Sequence, residues 1–225
     1  MTDCRGYFIT GTDTGVGKTA VTLGLMQAMQ VRGCRVAAMK PVASGCESTP
    51  AGLRNDDALR LQRQASVELE YTQLNPYCFA PAVAPHIAAE QAGVQLEINK
   101  ICIKYKEIRN ISDCVLVEGA GGWQVPLNAD ETLADLARVL GLDVILVVAM
   151  RLGCLNHALL TAQSITDSGC ELAGWVANHI VPKSQSEAAA ANIHALDMRL
   201  ACPRLGSIPY QEGISAKFVA DCLAV

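Results

Sequence analysis

A glycine-rich loop between an apolar strand and a helix constrains the fold of this chain more than any other feature. The segment at residues 11–19 reads GTDTGVGKT, follows an apolar run at residues 7–10 and leads into a helical pattern over residues 19–32. Its small residues let backbone N–H groups point inward at an anion, and the N-terminus of the helix adds a partial positive charge. The arrangement therefore predicts a phosphate-binding loop.

Two side chains at the end of this loop predict what it binds. In loops of this pattern the lysine, here Lys18, reaches the β- and γ-phosphates of a nucleotide, and the hydroxyl of the next residue, Thr19, holds Mg²⁺. The spacing departs from the common form, because the usual first glycine would fall on Thr12 and Gly11 lies one residue earlier. The alternative is a tight turn that merely contains Gly-Lys-Thr, which the flanking strand and helix disfavour.

The composition indicates a globular chain with a large core. The 225 residues are 51% hydrophobic and 18% charged, which suits a single α/β protein with a sizeable buried interior. The net charge of −4 argues against a protein that binds nucleic acid through a basic face. A small anion such as ATP needs only a local positive pocket, so ATP remains compatible with this charge.

The ten cysteines are scattered along the chain, and no two of them form a C-x-x-C pair. Zinc and iron–sulfur sites need clustered thiolates, so this spacing speaks against both. The polar residues 1–5 lack the pattern of a signal peptide, and the longest apolar run, residues 144–150, is too short to span a membrane. We expect small buried thiols in a reducing environment and a cytoplasmic protein.

Apolar runs alternate with helical patterns along the whole chain, and several runs are continuous, as expected for strands buried on both faces. This alternation predicts an α/β fold with a mostly parallel sheet flanked by helices on both faces, of the P-loop NTPase type, in one domain over residues 1–225. Residues 41–54 are predicted to form a long mobile loop. The predicted strands are residues 6–10, 35–39, 114–117, 144–150, 172–177 and 204–208, and the predicted helices are residues 19–32, 56–64, 96–109, 133–140, 155–168, 185–200 and 214–223.

Residues with distinctive chemistry follow the predicted strands where the strands end. The phosphate loop follows the first strand, and the second to the sixth strands are followed by Lys40, Glu118, Arg151, Asn178 and Pro209. In an open α/β sheet, ligands bind outside the carboxyl ends of the strands. We therefore expect these residues, distant in sequence, to converge with the phosphate loop on one rim.

Glu118 and Lys40 are the candidates for catalytic chemistry at this rim. An acidic residue after a buried strand is the usual second metal anchor of phosphate-loop enzymes, although the anchor is normally an aspartate. Lys40 would add a second fixed cation that stabilises charge on a transferring phosphoryl group, and Ser44 offers a hydroxyl nearby. The alternatives are a solvated acid in a glycine turn and a lysine that is only a surface charge.

Asp56 and Asp57 are two further candidate metal ligands at the start of a predicted helix. Adjacent side chains on a helix point about 100° apart, so at most one of the two carboxylates faces the metal. The alternative is that they complement the helix macrodipole. The four histidines show no metal-ligand spacing, and the residues alone favour structural roles for them.

Taken together and in order, these motifs resemble those of the dethiobiotin synthetases of biotin biosynthesis. The resemblance runs from the first strand to about residue 209 without large insertions, and a set of motifs in this order is far more specific than any one of them. The matching segments are GTDTGVGKT at residues 11–19, KPVASG at 40–45, RNDDA at 54–58, VEGAGG at 117–122, LGCLNH at 152–157 and GWVAN at 174–178.

The resemblance implies an enzyme that joins CO2 to 7,8-diaminononanoate with ATP and Mg²⁺. One amine captures CO2 as a carbamate, ATP phosphorylates the carbamate to a carbamic-phosphoric anhydride, and the second amine then closes a ureido ring. The resemblance also implies a homodimer, with residues 153–156 near the interface, where a helix N-terminus helps to hold the substrate carboxylate. We expect neither nucleic acid nor a membrane as a partner.

The resemblance further implies roles for individual residues. It makes Lys40 and Lys18 catalytic and places Mg²⁺ among Thr19, Asp57 and Glu118, although the adjacent Asp56 leaves the choice of aspartate open. The implied ATP-binding residues are Gly15, Val16, Gly17, Lys18, Thr19, Ala20, Asp57, Glu118, Gly119, Ala120 and Gly121, with Asn178, His179, Pro209, Tyr210 and Gln211 on the adenine side. The implied substrate-binding residues are Thr14, Ser44, Gly153, Cys154, Leu155 and Asn156.

Two other classes of phosphate-loop protein are alternatives. Switch ATPases that dimerise on ATP at membranes or DNA include members with an extra lysine near the start of the loop, but no lysine lies between Gly11 and Lys18. Their membrane members end in a basic amphipathic helix, whereas residues 214–225 contain one lysine and no arginine. An amidotransferase-type synthetase would need a glutaminase domain, for which the chain has no room.

Overall fold

A computed structural model of the protein describes residues 6–182 and 186–224. The strands within these ranges are β1 (Gly6–Gly11), β2 (Val36–Met39), β3 (Val42–Ala43), β4 (Glu47–Thr49), β5 (Gly52–Arg54), β6 (Tyr77–Cys78), β7 (Cys114–Glu118), β8 (Asp143–Ala149), β9 (Leu172–Asn178) and β10 (Arg204–Ile208). The helices are α1 (Lys18–Val31), α2 (Asp56–Gln64), α3 (Tyr71–Leu74), α4 (Pro85–Gln91), α5 (Ile98–Ile111), α6 (Leu133–Leu140), α7 (Cys154–Asp167), α8 (Glu187–Asp197) and α9 (Ala216–Asp221).

A parallel sheet forms the centre of the protein. Its six strands run in the order β10-β9-β8-β1-β7-β2, and every neighbouring pair is parallel. The first strand of the sequence therefore lies inside the sheet, where Phe8 of β1 pairs with Val117 of β7 on one side and Val144 of β8 on the other. The predicted fold class, a mostly parallel sheet flanked by helices, is confirmed.

The burial of the central strands explains why their sequences are almost continuously apolar. All five residues of β7 are buried, because helices cover both faces of a parallel sheet. In β8 the side chains alternate between two apolar clusters: Ile145 and Val147 belong to the larger one, while Leu146 and Val148 pack with residues of α7 and α8. This two-sided burial leaves the carboxyl ends of the strands as the place for polar chemistry.

The predicted loop at residues 41–54 is richer in structure than the sequence suggests. It contains β3, which pairs in parallel with β6, and an antiparallel hairpin formed by β4 and β5. Strands of two or three residues, such as β3 to β6, are too short to produce a readable hydrophobic period, and the short helices α3 and α4, of four and seven residues, were not predicted either. The predicted helix at residues 185–200 corresponds to α8, and its first position lies outside the described residues.

Two further observations concern membrane spans and cysteines. Within the described ranges, no helix has the length and apolar character needed to cross a membrane. The nine cysteines in these ranges are free thiols, and Cys4 lies outside them. The assignment of residues 1–225 to a single domain stays a prediction.

Candidate active site

The phosphate loop between β1 and α1 owes its shape to glycine and to a contact from a distant strand. Gly15 and Gly17 have φ angles of 73° and 93°, in the left-handed region that side chains disfavour. A Cβ atom on Gly17 would lie 2.1 Å from Nδ2 of Asn178, the last residue of β9. That amide nitrogen donates a hydrogen bond of 2.8 Å to the carbonyl oxygen of Val16. Asn178 therefore fastens the loop from the neighbouring part of the sheet.

Lys18 is buried at the N-terminus of α1 and bonds to backbone carbonyl groups rather than to an acid. Its Nζ donates to the carbonyl oxygens of Gly121, at 2.6 Å, and of Asp13, at 3.0 Å. Burial and the positive charge of Lys40 lower the pKa of Lys18 to about 8. An anion bound beside Lys18 would act in the opposite direction and raise this pKa, because a negative charge favours the ammonium form.

Lys40 and Glu118 form a buried ion pair at the ends of β2 and β7. The Nζ atom of Lys40 lies 2.5 Å from Oε1 of Glu118 and 3.6 Å from Oδ2 of Asp57. The hydroxyl of Thr19 donates to the same Oε1 atom at 2.9 Å. A lysine, a hydroxyl and two carboxylates from four separate segments thus meet in one place.

The surroundings of Lys40 keep its ammonium group charged and fixed. Burial acts to lower its pKa, but the negative charges of Glu118 and Asp57 outweigh this effect and raise the pKa above the usual lysine value. Its backbone N–H donates to the carbonyl oxygen of Leu74, and Nδ2 of Asn75 donates to the carbonyl oxygen of Lys40. The carboxylates therefore keep Lys40 charged, and the backbone hydrogen bonds fix its position.

The two adjacent aspartates at the start of α2 face different surroundings. The helix is capped by Asn55, whose Oδ1 accepts a hydrogen bond of 3.1 Å from the N–H of Ala58. From this start, Asp57 points toward Lys40 and lines the cavity at the rim, whereas Asp56 is exposed and does not line it. The geometry favours Asp57 as the acid that faces a metal.

A cavity of about 740 Å³ lies at this rim, over the phosphate loop and the first turn of α1. Among the residues predicted from the sequence, those that line it are Thr14, Gly15, Gly17, Lys18, Thr19, Ala20, Lys40, Ser44, Asp57, Glu118, Ala120 and Gly121. The structure thus brings together, in one space, the predicted phosphate, metal and catalytic residues. Gly119 is close by, and its carbonyl oxygen accepts a hydrogen bond from Nζ of Lys40 at 3.3 Å.

The predicted adenine-side residues lie beside the loop, at the ends of β9 and β10, and do not line this cavity. The N–H of His179 donates to the carbonyl oxygen of Ile208, which keeps His179 next to the segment that begins at Pro209. Val16, which is part of the loop, has a buried side chain. The remaining residues of this group, Tyr210 and Gln211, follow Pro209 at the same edge.

The predicted substrate residues 153–156 also lie outside the cavity in the single chain. They form the turn into α7, with Gly153 at a φ angle of 90° before the first helical residue, Cys154. The preceding Arg151 is joined to the phosphate loop, because its Nη2 lies 2.5 Å from Oδ2 of Asp13. The ion pair of Arg151 with Asp13 therefore connects this turn to the phosphate loop, while residues 153–156 do not line the cavity that contains Lys40.

Sequence reasoning missed several residues that line the cavity. The segment at residues 82–85 and Ile214 approach it from distant parts of the chain, and no local pattern marks them. Arg60 is different, because it stands three positions after Asp57 on α2 and so shares its face of the helix. That spacing is a signal that was present in the sequence.

The donor set at the rim fits a magnesium ion. Glu118 is fully buried, and its second oxygen, Oε2, has no hydrogen-bond partner among the described residues. A buried, unpaired carboxylate oxygen calls for a cation, and oxygen ligands are those that Mg²⁺ prefers. The described residues contain no cluster of three or more His, Cys, Asp and Glu that would form an all-protein metal cage. A site with few protein ligands suits an ion that is shared with nucleotide phosphates.

Comparison with solved structures agrees with the fold described above. The MinD cell division protein of Aquifex aeolicus superposes with a TM-score of 0.56 at 15% identity, over 98% of this chain and 87% of that one. The signal recognition particle receptor FtsY of Elizabethkingia anophelis superposes with a TM-score of 0.56 at 14% identity, over 99% and 66%. A family profile described as an AAA domain matches residues 5–217. Fold, loop and profile together assign the protein to the P-loop NTPase type of fold.

Sequence relatives narrow this class to one family. The ATP-dependent dethiobiotin synthetase BioD of Pseudomonas aeruginosa strain UCBPP-PA14 is 50% identical over 215 residues, which cover 95% of this chain and 93% of the relative. The enzyme of the same name from Nitrosospira multiformis is 45% identical over 221 residues, covering 98% and 95%. The chain belongs to the ATP-dependent dethiobiotin synthetase family and is a ligase.

Proposed function

We propose that the protein carries out a step of biotin biosynthesis in which CO2 is joined to 7,8-diaminononanoate and the ureido ring of dethiobiotin is closed, with ATP and Mg²⁺. One observation carries this proposal: Lys18, Lys40, Asp57 and Glu118 line one cavity above the phosphate loop. Two cations and two metal-binding acids suit the transfer of a phosphoryl group between anions, because they offset the repulsion between donor and acceptor.

The proposed chemistry has three steps in which atoms balance. One amine attacks CO2 and loses a proton, which gives a carbamate. A carbamate oxygen attacks the γ-phosphorus of ATP, the bond to the β-phosphate breaks, and ADP leaves. The second amine then attacks the carbonyl carbon of the anhydride and loses a proton, and the ring closes as inorganic phosphate leaves. No protein nucleophile is needed, and no cysteine among the described residues lines the cavity.

The residues of the cavity divide this work between binding and charge stabilisation. Lys18 and the loop N–H groups bind the β- and γ-phosphates, and Lys40 stabilises the charge that develops on the transferring phosphoryl group. Thr19, Asp57 and Glu118 would hold Mg²⁺, which when bound neutralises phosphate charge. Ser44 and Thr14 offer hydroxyl groups to the substrate at the same cavity.

The test of this function is product formation. Purified protein incubated with 7,8-diaminononanoate, bicarbonate and MgATP is expected to yield the ureido product, identified by mass. With labelled bicarbonate and no ATP, NMR is expected to detect a bound carbamate, and phosphate release is expected to require the diamine. Rapid ATP hydrolysis without the diamine, with no ureido product, would instead support a switch ATPase.

The choice between the two aspartates gives a separate prediction. Asp57→Asn is expected to raise the Mg²⁺ concentration needed for half-maximal turnover by about tenfold or more, because a ligand charge is lost at the metal. Asp56→Asn removes the same charge from the exposed neighbour and serves as the matched control, with little expected change. The reverse pattern in a magnesium titration would assign the metal role to Asp56.

We further propose a homodimer in which residues 153–156 of a second copy approach the cavity. The surface beside this turn supports the idea, since the Leu152 residue is 100% exposed and Leu160 of α7 is 63% exposed. Large apolar side chains left in water at one place are typical of an interaction surface.

The dimer is expected to depend on this surface. Leu160→Glu should shift the protein toward monomer in light scattering at micromolar concentration and lower its activity, because it places a charge in an apolar contact. Val31→Glu makes the same change at an apolar residue that is 78% exposed at the end of α1, and should leave the dimer intact. A wild-type protein that is fully active as a monomer would contradict the proposal.

A further inference from the structure

Arg60 places a guanidinium group at the active-site cavity in addition to the two lysines. It lies on α2, one turn after Asp57, is partly buried and lines the same cavity as Lys18 and Lys40. Residues three apart on a helix are neighbours on one face, so the position of Asp57 toward the rim also turns Arg60 toward it.

Arg60 differs from the other cations in this region because, among the described residues, it has no polar partner. Lys18 bonds to two carbonyl oxygens, and Lys40 is paired with two carboxylates. Arg54 lies with its guanidinium carbon 4.1 Å from the ring centroid of Tyr71. Arg60, in contrast, makes no hydrogen bond or ion pair with any residue in the described part of the chain. Its donors are available to a ligand in the cavity.

Helix α2, which carries Arg60, packs along α1, the helix that follows the phosphate loop. The helix lies along α1, where Nε2 of Gln64 donates to Oε1 of Gln30 at 2.9 Å and to Oε1 of Gln27 at 3.2 Å. Because the later turns of the two helices pair in this way and both first turns line the cavity, the helices run side by side. Arg60 thus lines the same cavity as the first turn of α1, from which Lys18, Thr19 and Ala20 reach it.

We propose that Arg60 is a nucleotide-binding residue whose guanidinium binds phosphate oxygens of ATP. This inference rests on the proposed use of ATP at this cavity. The planar guanidinium presents paired N–H donors that match phosphate oxygens, and it carries its charge at every working pH. The substrate carboxylate is the other anion that a guanidinium could bind, but the proposed function assigns that group to residues 153–156, which lie outside this cavity. The third cation adds to Lys18 and Lys40 in balancing the charge of the triphosphate.

The test compares two arginines of the same helix. Arg60→Ala is expected to weaken binding of a non-hydrolysable MgATP analogue by about tenfold in calorimetry, the loss of one charged hydrogen-bonded contact at a partly exposed position. Arg60→Lys should fall between wild type and Arg60→Ala, because it keeps the charge and loses the paired donors. Arg63→Ala removes the same charge from an exposed position outside the cavity and should bind as wild type does.

Two results would overturn the inference, and one would separate it from the proposed function. Equal nucleotide affinity in Arg60→Ala and Arg63→Ala, with equal thermal unfolding, would remove Arg60 from the nucleotide site. Unchanged nucleotide affinity with a raised KM for the diamine would assign the residue to the other substrate. If wild-type protein makes no ureido product while Arg60→Ala still weakens nucleotide binding, the proposed reaction fails and the role of Arg60 stands.

Discussion

Replacing Lys40 with alanine is expected to lower kcat by about a hundredfold or more, because it deletes a preorganised charge at the transferring phosphoryl group. Lys40 is buried and held by Glu118 and Asp57, so no solvent cation takes its place easily. Binding of MgADP should change little, since the contact with Lys40 matters most while the γ-phosphoryl group is being transferred. Steady-state kinetics with the diamine and calorimetry with MgADP separate the two effects.

The same substitution also disturbs stability, and this must be distinguished from catalysis. Losing one partner of a buried ion pair destabilises a protein by on the order of 3 kcal/mol, because the other charge stays buried. Lys40→Gln keeps a hydrogen-bond donor for Glu118 without the charge and should also be slow. Lys217→Ala, at an exposed pair with Asp221, is the matched control for loss of a lysine. Near-normal turnover in folded Lys40→Gln and Lys40→Ala proteins would remove Lys40 from the mechanism.

Lys18→Ala is expected to reduce both turnover and nucleotide affinity. The rate should fall by on the order of a hundredfold, as when another preorganised donor is lost, and MgADP should bind more weakly because Lys18 serves the β-phosphate as well. This weaker MgADP binding is what distinguishes Lys18→Ala from Lys40→Ala.

The control for this experiment is Lys104→Ala, which removes a lysine from an exposed pair with Glu107 on α5. It should bind MgADP as wild type does. If Lys18→Ala binds MgADP with wild-type affinity, the loop does not hold the nucleotide through this lysine, and the phosphate-binding role of residues 11–19 must rest on backbone groups alone.

The parts of the fold that could be predicted are those in which local pattern and tertiary burial agree. The strands of the central sheet are apolar because helices cover both faces, and this alone makes β7 and β8 visible in the sequence. The short strands β3, β4 and β5 have no such signature, since their pairing depends on partners chosen by the tertiary structure. The observed helix ends differ from the predicted ones by up to three residues, because tertiary contacts also decide where a helix stops.

The residues of the site that could be predicted are those at the ends of the predicted strands. Lys40 follows β2, and Glu118 and Asn178 are the last residues of β7 and β9, so the rule that parallel strands end at a common rim brings all three to the phosphate loop. Asp57 and Arg60 lie instead on a helix whose orientation the sequence leaves open, so their shared face toward the cavity needed the structure. The roles of all these residues stay predictions until the substitutions are made.

Strand β1 leaves the ribosome before the other described strands, yet its place in the folded sheet is between β8 and β7. This order has consequences for how the protein folds during synthesis. On the ribosome, β1 has no neighbour until residues 114–118 emerge and gains its second only with residues 143–149. The amide that fastens the phosphate loop arrives later still, with Asn178. Such long-range contacts slow folding and leave apolar segments exposed to chaperones meanwhile. The growing chain therefore acquires the ability to bind ATP only late in its synthesis, and a fragment that stops short of residue 178 should lack it.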